Sequence, residues 1–147
     1  MTSWTTLADG LAQELAGLPA GAIVTIVESR PDRTARFAQF VQSEDALAAE
    51  LVDDDALDVP LRAGDSGTTV IRALGWHERD RYHENWWLEL PWPATSADYR
   101  RLADMVVRGF GEGFGLPGPD TFVYDAWNER TGNSPIELPL LGLRQEG

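Results

Sequence analysis

The chain contains no cysteine. That absence excludes a disulfide framework, a cysteine nucleophile, and every zinc or iron–sulfur site built on thiolates. Lysine is also missing, so all 12 fixed side-chain cations are arginines, set against 24 Asp and Glu. The resulting formal charge of -12 repels phosphate backbones and anionic lipid surfaces, which argues against nucleic-acid and membrane partners. No run approaches the ~20 apolar residues of a membrane-spanning helix. Met1-Thr2-Ser3-Trp4 shows no basic stretch leading into an apolar one, and the expectation is a cytoplasmic protein. What is present is a chain of 147 residues, 43% of them hydrophobic. That is enough to build a core in one domain spanning residues 1–147. No repeat, low-complexity tract or linker divides it. The acidic excess serves solubility and also permits a basic partner.

The apolar spacing outlines the elements. Leu7, Leu11, Leu15 and Leu18 form one stripe of a helix over Thr5 to Leu18, with Thr5 or Thr6 as its cap. Ala22 to Val27 is a β-branched run typical of a buried strand. A turn at Arg30-Pro31-Asp32-Arg33 leads to a second strand over Arg36 to Gln42, and the short connection predicts an antiparallel hairpin. In that strand Phe37, Gln39 and Val41 share one face, and Ala38, Phe40 and Gln42 the other. Asp45 to Val52 fits helix or strand equally well. Asp53 to Gly67 reads as loop, Thr68 to Leu74 as a short helix ending at Gly75, and Trp76 to Glu84 as an exposed charged segment. Asn85 to Leu90 is a strand candidate. The clearest helix covers Ser96 to Phe114, with a Thr95/Asp98 capping box and with Gly109, Gly111 and Gly113 placed for close packing on a sheet. Thr121 to Trp127 is a further strand. The tail Ile136 to Leu143, broken by Pro139, is an edge segment.

Few constellations carry chemistry. Asp53, Asp54, Asp55 and Asp58 fail the calcium-loop spacing, which needs glycine at the sixth position where Asp58 stands. His77 and His83 are six apart and do not share a helix face as i and i+4 would. The glycines from Gly109 to Gly115 sit in a helical pattern and lack a P-loop lysine. No nucleophile, base and orienting group assemble, so neither a catalytic residue, a metal ligand nor a cofactor is expected. Tryptophan stands out, with six in the chain and four of them between residues 76 and 92. Trp86 and Trp87 must point to opposite faces of a strand, so one enters the core and the other meets solvent, a covering segment or a partner. The outward one, with Phe37 or Phe40, one of Leu47 and Ala48, Trp92 and Trp76, would form an aromatic groove. The candidate partner-binding residues are therefore Trp76, Trp86, Trp87, Trp92, Phe37 and Phe40. The surrounding acid favours a segment of some basic character. The alternative is that the tail Ile136 to Leu143 fills the groove.

Leu74-Gly75-Trp76, Asn85-Trp86-Trp87, Pro91-Trp92-Pro93-Ala94, Asp98-Tyr99-Arg100-Arg101-Leu102-Ala103, Tyr124-Asp125-Ala126-Trp127-Asn128 and the Phe37 to Gln42 strand together carry a resemblance. The chain resembles the actinobacterial YbjN-like proteins, grouped with the CesT-type type III secretion chaperones as peptide-binding-chaperone-like domains. The resemblance implies an α+β fold, with an N-terminal helix and a long helix packed on an antiparallel sheet. It implies that Asp45 to Asp54 is the third strand. It further implies a protein or peptide partner, no cofactor and no catalytic residues. Because secretion chaperones of this fold commonly dimerise, it also admits a homodimer.

Three functions fit these readings. The first is a non-enzymatic peptide- or protein-binding domain. The second is an acidic inhibitor or immunity-type protein that neutralises a basic partner. The third is a small metal-dependent enzyme using Asp53, Asp55 or the histidines.

Overall fold

The computed structural model describes residues 2–29 and 34–146; the turn expected at residues 30–33 lies outside the described residues. Helix α1 spans Trp4–Ala16 and is capped by Ser3, whose hydroxyl accepts from the Thr6 N–H. The cap therefore lies upstream of the expected Thr5 or Thr6. Strands β1 (Ala22–Glu28) and β2 (Phe37–Gln42) form an antiparallel pair, with Val27 opposite Phe37 and Ile23 opposite Val41. Ala46–Leu51 is strand β3, as the family resemblance implied. Helix α2 runs Gly64–Leu74, starting four residues before the expected Thr68. It ends where Gly75 adopts a φ of 113°, a left-handed conformation that a glycine enters without a Cβ clash.

Strand β4 (Trp86–Pro91) follows, then helix α3 (Ser96–Arg108). The α3 capping box forms as expected: Asp98 N–H donates to Thr95 Oγ1, and Thr95 N–H donates to the Asp98 carboxylate. The expected long helix does not continue regularly to Phe114. Gly109–Gly113 is instead a π-helical turn. Each glycine there faces a neighbour that leaves little room for a side chain. A Cβ at Gly109 would lie 2.8 Å from Leu51, one at Gly111 3.2 Å from Trp4 Nε1, and one at Gly113 2.6 Å from Ile71. The glycines thus bring one turn of helix against the sheet, α1 and α2 together. Strand β5 is Phe122–Asn128, and the short strands β6 (Ser134–Pro135) and β7 (Arg144–Gln145) both lie along its outer edge.

The sheet order is β4-β3-β2-β1-β5-β6, antiparallel throughout except where β7 runs parallel to β5. Register carries the strand alternation across the sheet. Ala126, Val24, Phe40, Ala49 and Leu88 stand in one row, and Tyr124, Ile26, Ala38, Leu51 and Trp86 in the next. These rows face the helices. Leu7, Leu11 and Leu15 of α1, Ile71 of α2, and Tyr99, Leu102 and Val106 of α3 join them in one core, with Phe110 from the π-turn. Among the described residues all three α-helices therefore cover the same face, and none covers the opposite one.

Two further features close the fold. Glu28 and Arg36, both buried, form a 2.9 Å ion pair at the end of the β1–β2 hairpin, and Arg36 also donates to the Leu61 carbonyl. Removing one partner of such a pair strands a buried charge. The tail packs against α1, where a Cβ on Gly10 would lie 1.8 Å from the Leu140 carbonyl oxygen, and it places Leu138 and Leu141 in the core. The stretch expected as an edge segment, Ile136 to Leu143, thus inserts into the core between the two edge strands β6 and β7, because its leucines find apolar partners on α1.

The α2 contact yields a test. A Cβ at Gly67 would sit 2.0 Å from the Gly113 carbonyl oxygen. Helix propensity alone predicts that Gly67→Ala stabilises by about 1 kcal/mol. Overpacking against backbone reverses the sign, and a net loss of about 1–3 kcal/mol is expected in urea unfolding. A variant as stable as the parent would contradict this packing.

Candidate functional site

The strand residues that face away from the helices form the candidate site. Their outermost row on one side runs Trp127, Ile23, Val41, Ala48 and Glu89 from β5 to β4. The next row is Asp125, Thr25, Gln39, Glu50 and Trp87. A third begins Val123, Val27 and Phe37. The face therefore alternates an apolar strip, a polar strip and a second apolar row, whose Val123 is buried at 3% exposure. Among the described residues of β1 to β5, this face carries Asp125, Glu50 and Glu89 but no arginine.

The structure divides the six residues that sequence reasoning proposed for a groove. Trp76, Trp86 and Phe40 are interior, at 2%, 4% and 0% exposure. Phe40 and Trp86 belong to the helix-facing parity of their strands, and Trp86 stands opposite Leu51. Trp76, placed in an expected exposed segment, instead inserts beside α3 and donates its indole N–H to the Met105 carbonyl at 3.2 Å. Burial removes these three from any surface groove in this conformation. Phe37 and Trp87 lie on the open face and are half-buried. Phe37 packs on a small cluster of Val52, Leu57 and Leu61. Trp92 is also half-buried, but it follows β4 five residues beyond Trp87. At about 3.3 Å per residue that is roughly 17 Å away, too far for one pocket.

Trp87 is partly covered by the 77–84 hairpin. His77 and Trp87 exchange backbone hydrogen bonds, and the Trp87 indole donates to the Glu78 carbonyl. The His83 ring lies nearly parallel to the indole, 4.0 Å between centroids, and the His77 ring 4.6 Å away. Asp80 anchors this hairpin. Its carboxylate meets His83 Nδ1 at 2.9 Å and accepts the Tyr82 N–H at 2.8 Å. Those two contacts, the His83 one first, hold the Asp80 carboxyl below the usual carboxylate range. The neighbouring Tyr82 side chain is 79% exposed. A recess of about 200 Å³ opens between this hairpin and β3–β4, lined by Ala48, Glu50, Tyr82, Glu84, Trp87 and Glu89 among others.

The acidic loop has structural tasks. Asp53 caps the turn at Asp54–Ala56, Asp54 accepts from the Ala63 and Gly64 N–H groups, and Arg79 pairs with Asp53 and Asp55. Among the described residues no group of three or more His, Asp and Glu has metal-binding geometry. No helix in the described residues is long and apolar enough to cross a membrane.

Sequence reasoning missed Trp127 as a candidate. Its parity with Val123 and Asp125 was legible, but only its pairing with Ile23 shows that this parity is the uncovered one.

The fold is an α+β sheet with one face covered by helices and one left open. The family model TY-Chap3, described as T3SS (YopN, CesT) and YbjN peptide-binding chaperone 3, matches residues 1–128, and the chain belongs to this family. The tail that packs on α1 lies beyond the matched residues. No curated protein and no solved structure matches the chain.

Two measurements check this geometry. Trp86→Ala should cost about 3–5 kcal/mol in chemical unfolding, as large core truncations do, whereas Trp127→Ala should cost about 1 kcal/mol or less. Equal losses would erase the distinction between the faces. The depressed Asp80 carboxyl contributes stability above the ordinary carboxylate pKa of about 3.9, lost as pH falls through its folded value. Acid titration followed by Trp87 ring resonances should therefore show the hairpin loosening below that pH. Asp80→Asn should remove the transition, and its persistence would exclude this anchor.

Proposed function

We propose that the protein is a non-enzymatic, chaperone-like domain, built from residues 1–147, that holds a peptide segment of a partner protein on the open sheet face. The proposed setting is the cytoplasm. One observation carries the site assignment: the strip Trp127, Ile23, Val41 and Ala48 is continuous across four paired strands and bears no helix. The four residues are half-buried, and apolar surface left partly uncovered on a folded chain is a place where association releases water. Flanking polar residues, Thr25 and Gln39 in the next row, offer hydrogen-bonding side chains beside the strip. Phe37 and Trp87 belong to the same proposed surface. Membership of a peptide-binding chaperone family supports the reading.

The experiment removes apolar character without disturbing the strands. Threonine is β-branched and suits a strand as well as valine or isoleucine. The double variant Ile23→Thr/Val41→Thr should keep its unfolding midpoint close to that of the parent. It should lose the ability to suppress aggregation of a chemically denatured reporter enzyme, measured by light scattering. Undiminished suppression by a folded double variant would place the binding surface elsewhere.

A further inference from the structure

We propose that the segment held on this face is amphipathic and polar in direction, with its apolar side chains on the strip and a basic side chain seated at the β4 end. The inference rests on the peptide-binding reading above and adds the chemistry and orientation of the occupant. The apolar strip ends at acidic side chains. It runs from Trp127 to Ala48 and stops at Glu89, the cross-strand neighbour of Ala48. There the recess between β3, β4 and the 77–84 hairpin gathers Glu50, Glu84 and Glu89 around an apolar floor of Ala48 and the Trp87 side chain. Among the described residues no ion pair or hydrogen bond engages Glu84 or Glu89, both exposed, while Glu50 accepts one from the Asn85 amide. Two arginines of the 77–84 hairpin have partners of their own. Arg79 pairs with Asp53 and Asp55, and Arg81 lies over the Tyr82 ring, 5.2 Å from its centre.

A long basic side chain suits this arrangement, because its aliphatic stem covers Ala48 and Trp87 while its charged head reaches the carboxylates. At about 200 Å³ the recess holds one such side chain, well below the ~300–1,000 Å³ of a drug-sized ligand site. A second copy of the chain fits less well. Two copies joined through this face would bring a surface containing Glu50, Glu89 and Asp125 against its own kind, and each copy carries a formal charge of -12.

The test uses the full chain and a short capped peptide of alternating valine and serine with one arginine at either end, beside a version with citrulline, the neutral isostere, in its place. Titration calorimetry at about 0.05 M salt should give about tenfold tighter binding of the arginine peptide, shrinking to less than about threefold at about 0.5 M salt. The triple variant Glu50→Gln/Glu84→Gln/Glu89→Gln should bind both peptides as the parent binds the citrulline one. Equal binding of the two peptides by the parent overturns the inference and leaves the sheet-face reading standing. A preference that survives in the triple variant also overturns it. Binding of neither peptide removes both readings, and dimerisation that blocks the face, seen by sedimentation, replaces the basic segment with a second copy.

Discussion

Side chains two residues apart on a strand share a face, and antiparallel register hands that parity to the neighbouring strand. Val24, Phe40 and Ala49 stand opposite one another on three successive strands. They meet Leu7, Leu11, Leu102 and Val106 from the helices in one core. Ile23, Val41 and Ala48, one residue away on the same strands, have no helix to meet. A slip of one residue would exchange the two sets and place Gln39 and Glu50 in the core. Core, helix layer and open face all depend on this single choice of register.

The helix layer approaches the sheet closely because the chain omits side chains where elements touch. Gly109 lies over Leu51, Gly113 over Ile71, and Gly10 of α1 receives the backbone of the tail. The same glycines that weaken helix propensity in the second half of the expected long helix let the chain turn there as a π-helix. Tight packing is thereby bought with irregular geometry. The sheet edges are also managed. The tail strands cover the outer edge of β5. On β4 the bridge to His77 occupies Trp87, Glu89 adds a charge, and Pro91 has no N–H to offer. Little unpaired strand edge is left on either side of the sheet.

Charge is sorted as well as one-sided. Several acids serve the fold itself: Glu28 pairs with Arg36, Asp53 and Asp54 cap and brace their loop, and Asp80 holds the hairpin over Trp87. Among the described residues Glu84 and Glu89 do none of this. The uncommitted carboxylates stand beside uncovered apolar surface, and that coincidence gives the open face a chemical character beyond mere exposure.

Much of this was legible locally, because the signals were local. The α1 stripe, the β1–β2 hairpin, the α3 capping box and the alternation of Phe37 against Phe40 follow from spacings of two, three and four residues. The same alternation separates Trp86 from Trp87, but it does not say which faces the core. That is decided by register with β3, which sets Trp86 opposite Leu51 under the helices and Trp87 opposite Glu50 in the open. Asp45 to Val52 fitted helix and strand alike until pairing with β2 and β4 supplied its hydrogen bonds. The burial of Trp76 among charged neighbours and the place of Trp127 in the apolar strip depend on contacts with α3 and β1, distant in sequence. Sequence by itself determined which residues could share a face, since backbone geometry sets those periods. Only tertiary structure decided which face was covered, because that depends on where three helices pack.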